Sequence, residues 1–180
     1  MAPESEHLSD RIMTTLGRQR PSFLHFVCAL GLCAGLAAGV WQSSGALAAT
    51  TEQIVVDRNS GLAIYGFDPV AYFTDGKAMA GDEGLELNYG GAAWRFKNEG
   101  NLAAFENDPE VYMPQFGGYD PTAVSQGVPR PGHPEFFAVH NQRLFLFASA
   151  EAKQAFEADP DGMALQAEAN WPDVSKTLVP

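Results

Sequence analysis

Cysteine is absent from all of the chain beyond residue 33. The two that exist, Cys28 and Cys33, both fall inside one apolar run. Everything after residue 48 therefore lacks a disulfide, a thiolate metal ligand and a cysteine nucleophile, and must be held by core burial alone. The 132 residues from Ala49 onward suffice for that. Positive charge is scarce too: 11 Lys and Arg stand against 22 Asp and Glu, a net of −11. Three of each sign precede residue 49, leaving 19 acids and 8 bases beyond it. That balance argues against nucleic acid and anionic lipid surfaces as partners. Catalytic signatures are missing as well. Ser125 lies in Ala-Val-Ser-Gln-Gly rather than G-x-S-x-G, and a hydroxyl bonded to nearby backbone is the reading preferred for it. Neither Gly90-Gly91 nor Gly117-Gly118 has a basic neighbour of the phosphate-cradling kind. Scattered surface acids give no argument for a catalytic carboxylate pair. No catalytic residue is assigned.

What is present begins with an export pattern. Residues Phe23 to Trp41 are apolar without a formal charge, Arg11, Arg18 and Arg20 precede them, and Ala46-Leu47-Ala48 offers a small-x-small cleavage site. Residues 1–48 are thus either a cleaved export signal or an uncleaved N-terminal anchor, since the run is just long enough to cross a bilayer. Arginines before the run place the remainder outside the cytoplasm in both cases. The expected location is periplasmic or secreted, or else the inner membrane with the domain in the periplasm. Membrane contact is confined to residues 23–41 in the uncleaved form.

Residues 49–60 read as a linker to a short edge element carrying Ile54, Val55 and Val56. From Gly61 to Thr74, Gly66 and Asp68-Pro69 break the chain into two short extended pieces around a turn. Leu85 to Glu110 then matches Phe136 to Asp161 at a shift of 51. Phe96 aligns with Phe147, Ala104-Phe105-Glu106 with Ala155-Phe156-Glu157, and Asp108-Pro109 with Asp159-Pro160. Each copy predicts a hairpin turning at Gly90-Gly91 or Asn141-Gln142, then a helix capped by Asn98 or Ser149, then a second helical start at Asp-Pro. Two such copies cannot stack as a solenoid, so the expectation is an α+β domain in which both share one core. Pro114 to Gly127 reads as the connector between them. Its adjacent glycines suit left-handed backbone or a close approach by another segment. A last helix is expected to stop at Pro172, leaving residues 173–180 as a loose tail.

Few residues offer themselves as metal ligands. His133 and His140 are seven apart, about 23 Å if extended at roughly 3.3 Å per residue, too far to share one ion. His133 is expected in an exposed proline-rich loop and His140 at a strand end. Asp68 and Asp120 would serve as hard oxygen ligands if the fold brought them together. Asp before Pro more often caps its own turn, and that reading is preferred.

The segments Gly66-Phe67-Asp68-Pro69-Val70-Ala71-Tyr72-Phe73, Tyr89-Gly90-Gly91 with Trp94-Arg95-Phe96, Gly117-Gly118-Tyr119 with Ala123-Val124-Ser125-Gln126-Gly127, and Ala169-Asn170-Trp171-Pro172 resemble the exported branch of the YHS domain family. The resemblance spans residues 61–172 and implies a small α+β domain. Some relatives carry cysteines thought to bind metal. Here the corresponding places hold Ala71, Lys97, Gly100 and Asp120, so no thiolate site carries over. The resulting expectation is an exported YHS-like binding or accessory domain with no assigned cofactor, serving a small ligand or a periplasmic partner protein. Its expected ligand surface is the Gly66–Tyr72 turn facing the Gly117–Ser125 stretch. Tyr72 and Tyr119 would give it shape, and Asp68, Asp120 and Ser125 polar contacts. The alternative from another class is a metal- or haem-handling redox accessory protein.

Overall fold

The computed structural model describes residues 53–178. The expected export segment, with its cysteines and cleavage site, lies outside the described residues. The described chain is α+β, as its sequence pattern predicts. A left-handed turn at Ile64–Gly66 leads to helix α1 (Ala71–Thr74), and strands β1 (Asp82–Tyr89) and β2 (Ala92–Phe96) form the first hairpin. Helices α2 (Glu99–Asn107) and α3 (Pro109–Tyr112) follow. A second left-handed turn, Gln115–Gly118, opens the same series again: α4 (Pro121–Val124), β3 (His133–His140), β4 (Arg143–Phe147), α5 (Ala150–Ala158) and α6 (Pro160–Ser175).

The duplication is visible in the register. β1 pairs with β2 through Asp82 and Phe96, Glu86 and Arg95, then on to Tyr89 and Ala92. β3 pairs with β4 through His133 and Phe147, Phe137 and Leu146, then on to His140 and Arg143. Every pair is displaced by 51, and so is the irregularity after the first pair. The turns follow from left-handed dipeptides, Gly90-Gly91 at φ +60° and +86° and Asn141-Gln142 at +49° and +58°. Asn98 and Ser149 each accept the N–H three residues on, from Asn101 and Ala152, capping α2 and α5 alike.

The repeat begins earlier than the shift of 51 indicates. Pro114 to Gly127 is no plain connector: it is the start of the second copy. At a shift of 52, Gly66-Phe67-Asp68-Pro69 superposes in role on Gly118-Tyr119-Asp120-Pro121. The Gly81 N–H donates to the Gly66 carbonyl as the Gly132 N–H donates to that of Gly118. Asp68 N–H reaches the Met79 carbonyl, and Asp120 N–H that of Arg130. One residue fewer between the Asp-Pro turn and the hairpin changes the shift, which hid the match. The stretch from Gly61 to Thr74 is correspondingly a left-handed turn and a one-turn helix, not two extended pieces.

Two core clusters replace the single shared core expected from the sequence. One gathers Ile64, Val70, Tyr72, Trp94, Phe96 and Phe105. The other gathers Phe116, Tyr119, Val124, Phe156, Ala164 and Ala167. Strand β4 is their common wall, because side chains alternate faces along a strand. Leu144 and Leu146 enter the first cluster, Phe145 and Phe147 the second. Residues 53–56 are no linker either. Ile54 is buried in the first cluster and Val55 in the second, and the Val55 N–H donates to the Gly117 carbonyl at 2.8 Å. The C-terminal expectation needs the same correction. Helix α6 runs through Pro172 to Ser175, and Val174 and Leu178 are buried where a loose tail was expected. Proline at that point removes one N–H, a loss that packing of the helix's last turns offsets.

Candidate functional site

All five residues singled out from the sequence are buried, and their surroundings divide them. Asp68 is fully enclosed. One oxygen accepts the Val70 and Ala71 N–H groups, the other accepts the Lys97 N–H at 2.8 Å and the Asn101 amide at 2.7 Å. Asp120 repeats the arrangement: one oxygen takes the Thr122 N–H and hydroxyl, the other the Ala148 N–H at 3.0 Å. Lys97 and Ala148 are again 51 apart. Each carboxylate pins its Asp-Pro turn to the end of its own hairpin, and the two do not share partners. The capping reading preferred for these residues is the one the geometry supports. A buried carboxylate with its lone pairs filled by N–H donors has little left for an external ligand.

Tyr72 donates its hydroxyl to the Pro134 carbonyl at 3.1 Å and packs edge-on against Phe137, so it ties the first repeat to β3. Burial, and then the Asp68 charge, raise its pKa above the usual phenol value. Tyr119 is buried beside Trp171, with ring centroids 6.1 Å apart. The expected meeting of the Asp68 and Asp120 turns across a ligand surface is not what organises these side chains. Each carboxylate holds its own repeat, while Tyr72 crosses to the second.

Ser125 is placed differently. It lies at the C-terminal end of α4, on the wall of an open groove of about 490 Å³ completed by Gln126, Gly127, Asn170, Asp173, Val174 and Thr177. Asn170 crosses from α6 and donates to the Ser125 carbonyl at 2.7 Å, locking the two walls together. Ser125 itself donates its hydroxyl to the Thr122 carbonyl, as expected of a residue bonding its local backbone. The groove exists because α6 continues for 16 residues where its counterpart α3 stops after four. Apart from Ser125, these groove residues were not among the site residues expected from the sequence. The signal for them was the Ala169-Asn170-Trp171-Pro172 segment, whose length beyond the repeat has no counterpart after Tyr112.

His140 falls at a strand end as expected, at the close of β3 and 2.7 Å from Asp161. His133 is exposed as expected but opens that strand, paired with Phe147, where a proline-rich loop was expected. Among the described residues, no three His, Cys, Asp or Glu side chains are placed to hold one metal ion. Nor is any described helix long and apolar enough to cross a membrane. No protein-family model matches the chain, and no curated protein or solved structure matches it either.

Proposed function

We propose that this chain is an exported binding or accessory domain of YHS-like kind, which takes a small ligand in the groove between α4 and the C-terminal half of α6. The observation that carries the reading is an asymmetry. The buried carboxylates, the left-handed turns and the helix caps occur twice and serve the fold twice. The groove occurs at the one place where the second repeat adds material the first lacks. Material that one repeat carries beyond the pattern common to both is a natural place for a function. A concave wall holding polar groups on a rigid helix pair fits a small-molecule site. The sequence resemblance and the export pattern supply the class and the compartment.

Native mass spectrometry of the protein purified from its own host tests the proposal. A small organic adduct of defined mass is expected, and the exposed Gln126→Ala variant should bind it more weakly without losing its fold. Stoichiometric copper, iron or haem in that preparation would overturn the reading in favour of metal or haem handling.

A further inference from the structure

Most of the groove's hydrogen-bond donors are already committed, and among its side chains acceptors outnumber the donors left on the Gln126 and Asn170 amides. Ser125 has spent its hydroxyl proton on the Thr122 carbonyl at 2.8 Å, and Thr177 has spent its own on the Val174 carbonyl at 2.6 Å. Both can offer only lone pairs to a third group. The backbone donors along that wall are committed as well. Ser125 N–H goes to Pro121, Gln126 N–H to Ala123 and Gly127 N–H to Val124. On the facing wall Asn170 has given an amide proton to the Ser125 carbonyl. Asp173 contributes a carboxylate, an acceptor alone. Its hydrogen bond to Lys176 and that residue's charge hold its pKa below the usual value, so it stays ionised.

Two further features have the same sign. Asn170 to Ser175 is the final part of a 16-residue helix, where the backbone dipoles leave partial negative charge. The protein as a whole carries a net of −11. Among the described residues Lys176 is the one cation bonded to the lining, and its pair with Asp173 is a surface one, with side chains 73% and 88% exposed. Such pairs are weak enough for a competing cation to displace.

We infer that the groove accepts a small organic cation, a protonated amine or guanidinium whose N–H groups meet the lone pairs of Ser125, Thr177 and Asp173. This rests on the groove being the binding site, and the test separates the two ideas. Amide NMR shifts of the exported chain are followed while putrescine, sorbitol and succinate are titrated in turn. Putrescine is expected to move the amides of Gln126, Gly127 and residues 173–177 saturably. Its affinity should fall about tenfold in Asp173→Asn, the scale of losing one charge-assisted hydrogen bond, and should also fall with added salt. Sorbitol or succinate moving those same amides in place of putrescine would overturn the cation assignment and leave the groove standing. Shifts elsewhere, or none with any of the three probes, would remove both.

Discussion

The two repeats share a register and differ in what surrounds it. Strand β2 alternates: Ala92, Trp94 and Phe96 are buried while Arg95 reaches outward to Glu86 at 2.6 Å. Strand β4, its counterpart, reads Leu144-Phe145-Leu146-Phe147 and is buried on both faces. The first hairpin thus closes the edge of the domain and the second stands in its middle. The left-handed turns differ in the same way. Ile64, Tyr65 and Gly66 have φ of +41°, +60° and +77°, and Phe116, Gly117 and Gly118 have +56°, +61° and +90°. The middle position carries an exposed tyrosine in the first turn and glycine in the second. A Cβ on Gly117 would run into the Gln53 carbonyl, because residues 53–55 cross over that turn. Closely similar backbone geometry therefore tolerates different side chains according to what lies on top of it.

The largest test of this contrast is truncation. Ending the chain after Ala158 removes α6 and bares the second face of β4, and circular dichroism should show loss of the cooperative fold. Deleting residues 53–55 removes Ile54 and Val55 from both clusters at once and should lower stability by about 3–5 kcal/mol in urea unfolding. Asp68→Ala and Asp120→Ala come next. Each strands buried N–H donors and is expected to cost about 2–5 kcal/mol in the same measurement. Asp68 should cost more, because the Asn101 amide loses its partner too and position 152 of the second repeat is alanine.

A sharper comparison comes from one glycine in each repeat. A Cβ on Gly81 would lie 2.5 Å from Arg95 Cβ, and one on Gly132 2.7 Å from Leu146 Cβ. Gly81→Ala and Gly132→Ala should each destabilise by about 1–3 kcal/mol. The Gly132 change should fall at the upper end, because β4 is held on both faces while β2 can yield toward solvent. The smallest expected effect is at Tyr72. Tyr72→Phe removes the bond to the Pro134 carbonyl and should cost about 1 kcal/mol near neutral pH. Its raised folded-state pKa means the native state disfavours phenolate. The corresponding stability is complete below pH 10 and is lost as pH rises beyond it. Alkaline unfolding should therefore be less steep with pH in the phenylalanine variant.

The sequence made the hairpins and caps legible because each rests on a local rule: glycine pairs at turns, Asn98 and Ser149 ahead of helices, Asp-Pro at helix starts. It left the two-cluster core hidden, since the burial of Ile54 and Val55 depends on contacts some sixty residues away at Gly117. The roles of Asp68 and Asp120 were half legible. Their caps are local, but the bonds to the Lys97 and Ala148 N–H groups become visible only once the hairpins are placed. Pro172 misled for a related reason. A proline forfeits one hydrogen bond, which tertiary packing of Val174 and Leu178 can outweigh. The groove depends on how far α6 runs past the repeat, so Ser125 alone of the five expected site residues lines it.

A strand that supplies side chains to both interiors has a thermodynamic consequence. Neither half can melt while the other stays intact, because loosening β4 withdraws Leu144 and Leu146 from one interior and Phe145 and Phe147 from the other. Calorimetry should accordingly record a single heat-absorption peak with matching van't Hoff and measured enthalpies.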